Sequence, residues 1–414
     1  MYCAWADIGY IASIWNFVNR MSDRKIIIVG AGIGGLTAAL CFAQRGFDID
    51  IFEKAAGISE IGAGIQLSPN CTRVLHGLGL EPSLRSAAFL PHAVELRGYS
   101  RGQIIATSPL GDTVRQRFGF PYYHMHRADL IQALLTAAIQ QQRIAIHTDS
   151  TVQQIEQDDS GVRVLVAGGY HHADLLVGAD GIHSTVRAEL FGPQPAQFTG
   201  NVAWRSLIPI DRLPTGLVRP MSSAWLGPGK HFVHYYVRAG SLINCVCVVE
   251  KAGWQHESWL ERGDHAELKK DFSGWHRNVQ IVIDAMDRDA CFKWALFDRA
   301  PLPQWSVGRV TLLGDACHPT LPFMAQGAAM AIEDAAVLAN EVADGVDIQS
   351  SLLRYESLRQ PRTSRIHAGS RHNAAQFHLS GSLAWRRNKR MAAARANTAD
   401  WLYSYDAWHT ERLS

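Results

Sequence analysis

The sequence has no apolar run after its first twenty residues that is long enough to cross a bilayer. Residues 1–20 are apolar, but Asp7 and Asn16 interrupt them. They also lack a basic leading region and a small-residue cleavage site, so they read poorly as a span or a signal peptide. Ile11, Ile14, Trp15 and Val18 fall at helical spacing, and Met21 opens a second plausible start. Residues 1–20 are therefore expected to be an extension foreign to the fold, with a docking helix as the alternative. No C-x-x-C pair occurs among the seven cysteines, Cys3, Cys41, Cys71, Cys245, Cys247, Cys291 and Cys317. An odd count without paired spacing fits reduced thiols in a cytoplasmic protein better than disulfides, and no metal site is expected. Excess charge is missing too. Forty Lys and Arg against 38 Asp and Glu leave +2, which argues against bulk attraction to nucleic acid or to an anionic membrane. The local exception is residues 354–414, with eleven Lys/Arg against four Asp/Glu, read as a solvated helix face or a domain or subunit contact. There is no internal repeat and no low-complexity tract.

What is present is ordinary for a globular chain. It has 414 residues, 47% hydrophobic and 19% charged, enough for two or three domains at roughly 100–200 residues each. Lys25 to Val29 is a short β-branched run, followed by glycines, a helical stretch LTAALCFAQRG and a second strand FDIDIFEK. Arg127 to Gln142 reads as a helix, and Val162 to Val166 and Ala173 to Val177 as strands. Val202 to Ile210, Ser223 to Leu226, His231 to Val237 and Leu242 to Val249 read as successive antiparallel strands, with Cys245 and Cys247 on one face. Helices are expected over 264–271 and 278–286. Val310 to Leu313 is a buried strand, Gly327 to Val342 an Ala-rich helix, and Leu352 to Trp408 mostly helical with a break near Ser380 to Ser382. Nucleotide-fold elements thus appear early, midway and late, with an antiparallel block between them.

The first chemical motif is IIIVGAGIGGL. Gly30 allows the tight turn, Gly32 lets backbone approach a pyrophosphate, and Gly35 lets the helix pack on the strand. The helix N-terminus, with Gly34 in its first turn, offers N–H groups and a positive dipole end to phosphates. Glu53 ends the second strand, where an acid accepts hydrogen bonds from ribose hydroxyls. The second motif is DLLVGADGIHSTVR, with Asp180, Gly181, Ser184 and Arg187; the third is GDACHPTLPFMAQGAAMAIEDA, with Gly314, Asp315, His318, Pro322 and Gly327.

These three motifs, in this order, resemble those of the group A flavoprotein aromatic monooxygenases, the family of 4-hydroxybenzoate and salicylate hydroxylases. The resemblance covers residues 25–408. It implies an α/β (α+β composite) fold: a Rossmann-like FAD-binding domain with an inserted antiparallel-sheet substrate domain and C-terminal helices. The expected layout is an N-terminal extension at 1–20 and an FAD-binding domain at 21–198, with part of the substrate domain near 92–118. The substrate sheet follows at 199–298, the Gly-Asp segment at 299–345 and a helical region at 346–414. In the family the Asp-Gly motif serves the flavin pyrophosphate and the nicotinamide donor, and the acid matching Asp315 bonds the ribityl chain. IGAGIQLSPN, with Gly62 and Gly64, resembles the segment lining the flavin ring. HRADL resembles the motif whose arginine, here Arg127, contacts the cofactor. A single G-x-G-x-x-G leaves no second Rossmann domain for NADH or NADPH, which fits transient binding of the donor.

The resemblance further implies that FAD is reduced by NADH or NADPH, takes up O2, and hydroxylates an activated aromatic ring through a C4a-hydroperoxide. A phenolic acid or hydroxylated heteroaromatic is the expected substrate, and a base that draws off the phenol proton would raise its reactivity. On HFVHYYV, the face bearing His231, Val233, Tyr235 and Val237 suits a small aromatic pocket, while His234 lies opposite with Phe232 and Tyr236. Family members carry a pocket His and Tyr at the spacing of His231 and Tyr235, and one type has a Gln where Gln326 stands. His231, Tyr235 and Gln326 are the candidate catalytic residues, and His124 is read as structural. Arg205 is a candidate for a substrate carboxylate, with a structural salt bridge as the alternative. Small aromatic substrate and O2 are the expected partners, with a homodimer left open. A non-hydroxylating reductase or dehydrogenase on the same fold is the competing reading.

Overall fold

The computed structural model describes residues 24–58, 63–251, 253, 261–394 and 399–409. The expected extension at 1–20, Cys3 and Gly62 lie outside the described residues.

The β-branched run Lys25–Val29 forms the central part of a six-stranded sheet. Its order is Ser306–Val307, Val310–Leu312, Leu175–Gly178, Lys25–Val29, Asp48–Phe52, Ile144–His147. Every pairing is parallel except that of the Ser306–Val307 edge. A parallel sheet must be covered on both faces, which is why Ile26, Ile27 and Ile28 are all apolar and all buried. Helices Ile33–Ala43 and Gly327–Asp344 pack against each other across small residues. A Cβ at Gly34 would come within 2.7 Å of Leu313 Cδ2, so glycine there sets how closely the helix and the late strand approach.

A second sheet of seven strands runs Phe292–Asp298, Gln197–Pro209, Leu242–Glu250, Lys230–Val237, Ser222–Gly227, Ala93–Gly98, Ile104–Pro109. Only Ser222–Gly227 with Ala93–Gly98 is parallel. Its side chains alternate between two burials. Trp204, Phe232, Cys245 and Cys247 join a core closed by helices His265–Asp271 and Arg277–Asp284. His231, Val233, Tyr235, Val246 and Val248 face a cavity on the other side.

One strand expectation needs correction. Residues 173–177 are not one strand. Gly169–Ala173 pairs with Val162–Val166 in a small sheet, and Leu175–Gly178 joins the parallel sheet. The chain changes sheet at Asp174, whose Oδ2 accepts a hydrogen bond from Lys25 N at 2.8 Å. The C-terminal helix Ile348–Phe377 ends before the expected Gly/Ser break, and Gly381, at φ +54°, starts the next helix, Gly381–Ala393.

Behind the sheet lies a buried ion cluster. Arg359 meets Glu333 and Asp334, each at 2.7 Å, and Arg362 meets Glu333 at 2.7 Å. Burial alone would raise the Asp334 carboxyl, but His318 and Arg359 outweigh it and hold it below its usual range. Glu333 is held down in the same way by Arg362 and Arg359. The stability these carboxylates contribute is full above the ordinary carboxylate range and is lost as pH falls through their lowered values. Replacing Arg359 with Met removes the cation that two buried acids share and leaves their charge only partly compensated. Urea unfolding at neutral pH should show a loss of about 3–5 kcal/mol, and a loss under about 1 kcal/mol would contradict this reading of the cluster.

Candidate active site

The two sheets enclose a cavity of about 910 Å³. Its dinucleotide end is built from the first two motifs. Gly30 has φ +101°, and a Cβ there would lie 2.6 Å from Ala179 O, so both the turn and the neighbouring strand require glycine. A Cβ at Gly35 would lie 2.0 Å from Gly30 O, which explains the third glycine as a helix–strand contact. Gly32 differs: nothing lies within 4 Å of its Cβ position, which borders the cavity. Glu53 is clamped at the wall, with Oε2 accepting from Ala31 N at 2.8 Å and Oε1 from Ala55 N at 2.9 Å. Asp180 Oδ2 accepts from Thr185 N at 2.7 Å, Thr185 Oγ1 at 2.9 Å and Val186 N at 3.2 Å. Asp180 Oδ1 is buried and has no hydrogen-bond partner among the described residues. Gly181, at φ +79°, turns the chain beside it. Arg187 then ties the second motif to the third, donating to Ala316 O at 2.9 Å.

The strand Val310–Leu312 delivers Gly314, at φ +64°, and Asp315 to the cavity. Asp334 holds this loop from behind, accepting from Gly314 N at 3.1 Å and meeting His318 Nε2 at 2.6 Å. Asp315 and Arg127 share the cavity wall. Burial raises the Asp315 carboxyl above its usual range, against the pull of Arg127 and His318. Pro322 and Gly327 also border the cavity, the latter opening the helix Gly327–Asp344.

One site expectation is corrected. Gln326 does not line the cavity. Its Nε2 donates to Ser68 Oγ at 3.0 Å and its Oε1 accepts from Asn70 Nδ2 at 3.2 Å, so its amide is spent on a buried polar network. Gly64 borders the cavity, and a Cβ there would lie 2.6 Å from Asn244 Cγ and 2.7 Å from Tyr235 Cε2, so the packing of the second sheet also requires glycine.

At the far end, His231, Val233 and Tyr235 alternate onto the cavity wall, while His234 bonds Trp225 Nε1 at 3.1 Å on the other face. Burial, reinforced by His378, holds the His231 imidazolium well below the usual histidine range, so the ring is neutral. Burial likewise raises the Tyr235 phenol, which stays protonated. Arg205 crosses the Trp294 ring at 4.3 Å; burial lowers its pKa to about 10, which leaves it a cation. His124 is buried against Tyr235, ring centres 4.6 Å apart, and burial pushes it down to about 3, so it packs as a neutral ring. Asp334, Glu333 and Arg359 escaped the sequence reading. The signal was there in two adjacent acids inside an Ala-rich helix, which only burial with cations can explain.

Residues 23–370 match the FAD-binding domain family. The chain belongs to this family of FAD-dependent aromatic monooxygenases. The monooxygenase is 38% identical to 3-amino-4-hydroxybenzoate 2-monooxygenase of Streptomyces platensis over 92% of its own length and 96% of the relative's. It is 36% identical to 3-hydroxybenzoate 6-hydroxylase of Polaromonas naphthalenivorans, covering 93% and 97%. Among solved structures it resembles Klebsiella pneumoniae HpxO complexed with FAD and uric acid, with a TM-score of 0.80, 28% identity and coverage of 92% and 95%.

The residues of the monooxygenase fit the cofactor. The open space over Gly32 admits a pyrophosphate against the backbone, and the Glu53 carboxylate and Asp180 Oδ1 are acceptors for hydroxyl donors of the cofactor. Gly32 and Gly30 should therefore respond differently. Gly32→Val fills only the cavity, so the variant should melt near wild-type apoprotein while losing at least about 100-fold in FAD affinity, the scale of a few kcal/mol of steric exclusion. Gly30→Ala should unfold at lower temperature. A Gly32→Val protein that stays yellow would refute the assignment.

Proposed function

We propose that this FAD-dependent monooxygenase hydroxylates a small aromatic acid carrying a ring hydroxyl, or its hydroxylated heteroaromatic analogue, with NADH or NADPH and O2. The observation that carries the reading is one cavity wall holding a neutral imidazole, a protonated phenol and a half-buried cation, His231, Tyr235 and Arg205. Two relatives at 36–38% identity are named for substrates with both a hydroxyl and a carboxylate on one ring. Bound FAD supplies the redox chemistry, which no side chain can provide.

The chain's own residues then have distinct tasks. Val233, Val246, Val248 and Trp294 offer an apolar wall to the ring and keep water from it. Arg205, already desolvated and stacked on Trp294, pairs with the substrate carboxylate. His231 accepts the phenol proton and so raises electron density on the ring before the electrophilic step. Tyr235 donates to substrate oxygen. Asp315 and Arg127 hold the cofactor side, and the Gly327 helix end turns its dipole toward it. Gln326 acts only through the network that seats that helix.

A panel of phenolic acids, hydroxypyridine acids and their decarboxylated analogues tests this. Phenolic acids should stimulate NADH or NADPH oxidation. Arg205→Gln should raise the KM of a carboxylated substrate about 100-fold, the scale of a lost charge-assisted contact, and leave the decarboxylated analogue within about threefold. Equal effects on both would remove the carboxylate role. In His231→Ala, hydroxylation should fall at least about 100-fold with FAD content intact.

A further inference from the structure

His231 does not end its hydrogen bonding at the cavity. Its Nδ1 lies 2.8 Å from His378 Nε2, and His378 Nδ1 lies 2.8 Å from Glu250 Oε1. His231 and His378 are buried, whereas the Glu250 side chain is 58% exposed. Glu250 and His378 line a second, outer cleft of about 490 Å³. The three side chains thus form an unbroken hydrogen-bonded path from the substrate cavity to that cleft. We propose that His378 and Glu250 are a relay for His231: they fix its tautomer and carry the substrate's phenol proton out of the cavity. This rests on the reading of His231 as the base.

The acid sets the tautomers from the outside inward. A carboxylate only accepts, so the hydrogen shared with Glu250 belongs to His378 Nδ1. The other nitrogen of a neutral His378, Nε2, is then an acceptor, so the shared hydrogen there belongs to His231 Nδ1. That leaves a lone pair on His231 Nε2, the nitrogen free for the cavity. Without the outer acid neither ring has a fixed sense, and a donor at His231 Nε2 would repel the phenol hydrogen instead of accepting it.

The frame is rigid. Phe323 and Phe377 meet the His231 ring edge-on at 5.1 and 5.4 Å. Gly229 N donates to His378 O at 3.0 Å, and Glu250 N donates to Gly229 O at 2.8 Å, so strand end, turn and helix end are tied at this point.

The transfer balances. The substrate O–H bond breaks as its proton joins His231 Nε2. The Nδ1 proton of His231 passes to His378 Nε2, and the Nδ1 proton of His378 passes to Glu250 and then to water in the outer cleft. The substrate is left as a phenolate, both rings end neutral, and no electrons change owner.

Among the described residues, the other charges near the path have partners of their own. Arg387, from the helix Gly381–Ala393, opposes a proton on His378 and is bonded to Gln376 O and Phe377 O. Asp298 and Arg371, across the outer cleft, are paired at 2.5 Å, and Asp298 also holds His367 at 2.9 Å. Lys230, beside His231 in sequence, is turned to Asp271 O. Among the described residues, Glu250 is the one acid bonded to His378.

The test uses the FAD-loaded enzyme and the best phenolic acid of the panel, with Glu250→Gln, Glu250→Asp, His378→Gln and His231→Ala. Product formation is measured across about pH 5 to 9, the range where imidazoles titrate. Glu250→Gln and His378→Gln should each lower the kcat of hydroxylation about tenfold, a part of the effect of a general base. FAD content and KM should stay within about twofold. Glu250→Gln should also move the acid limb of the profile to lower pH, because loss of the anion makes a protonated imidazole less favourable. Glu250→Asp should recover part of the rate. If Glu250→Gln keeps the wild-type kcat and profile while His231→Ala is inactive, the relay is overturned and the base stands. If His231→Ala keeps coupled turnover, the base reading fails and the relay with it. Should His378→Gln lose its cofactor or its fold, Glu250→Gln decides, since its side chain is largely solvated.

Discussion

Two adjacent acids in the middle of a buried helix hold this molecule together. Asp334 reaches Gly314 N, His318 and Arg359, and Glu333 reaches Asn70, Arg359 and Arg362. Through them the Gly-Asp loop, the helix Pro69–Gly77 that carries Asn70 and the long C-terminal helix Ile348–Phe377 are fixed to one helix. Each of those segments borders or supports the cavity. Desolvating two carboxylates is costly, and only two arginines and a histidine at bonding distance make it tolerable. The cluster is therefore a constraint on geometry as much as a source of stability.

That constraint lets two dissimilar sheets share one cavity. The parallel sheet supplies backbone: glycine turns, helix ends and clamped acids suited to a dinucleotide. The antiparallel sheet supplies side chains, because its alternation sends every second residue to the cavity. His231 and Tyr235 face the cavity, and Phe232 and His234 do not, for that reason alone. Desolvation then does the electrostatic work. It keeps His231 neutral and Tyr235 protonated, the states in which one accepts and the other donates a proton.

Much of this was legible beforehand. The glycine motif, Glu53, the Asp180 and Asp315 turns and the strand alternation all depend on local backbone requirements, and local requirements leave local signatures. The exceptions share a cause. Gln326 stands next to the cavity in sequence, yet Ser68 and Asn70, more than 250 residues away, claim its amide. Asp174 splits an apolar run because its carboxylate caps a strand 149 residues distant. His378 gave no signal, since its importance comes from meeting Glu250 and His231 only after folding. Side-chain partners set by long-range packing are where one-dimensional reading stops.

The cavity directs one oxygen atom onto an aromatic ring. Turnover under 18O2 with the best phenolic acid tests it most directly, with mass spectrometry of the product and peroxide measured in parallel. The account predicts a product heavier by one labelled oxygen, no label from water, and little peroxide per NADH or NADPH consumed. Recovery of all consumed oxygen as peroxide with every phenol, or a product oxygen drawn from water, would contradict it.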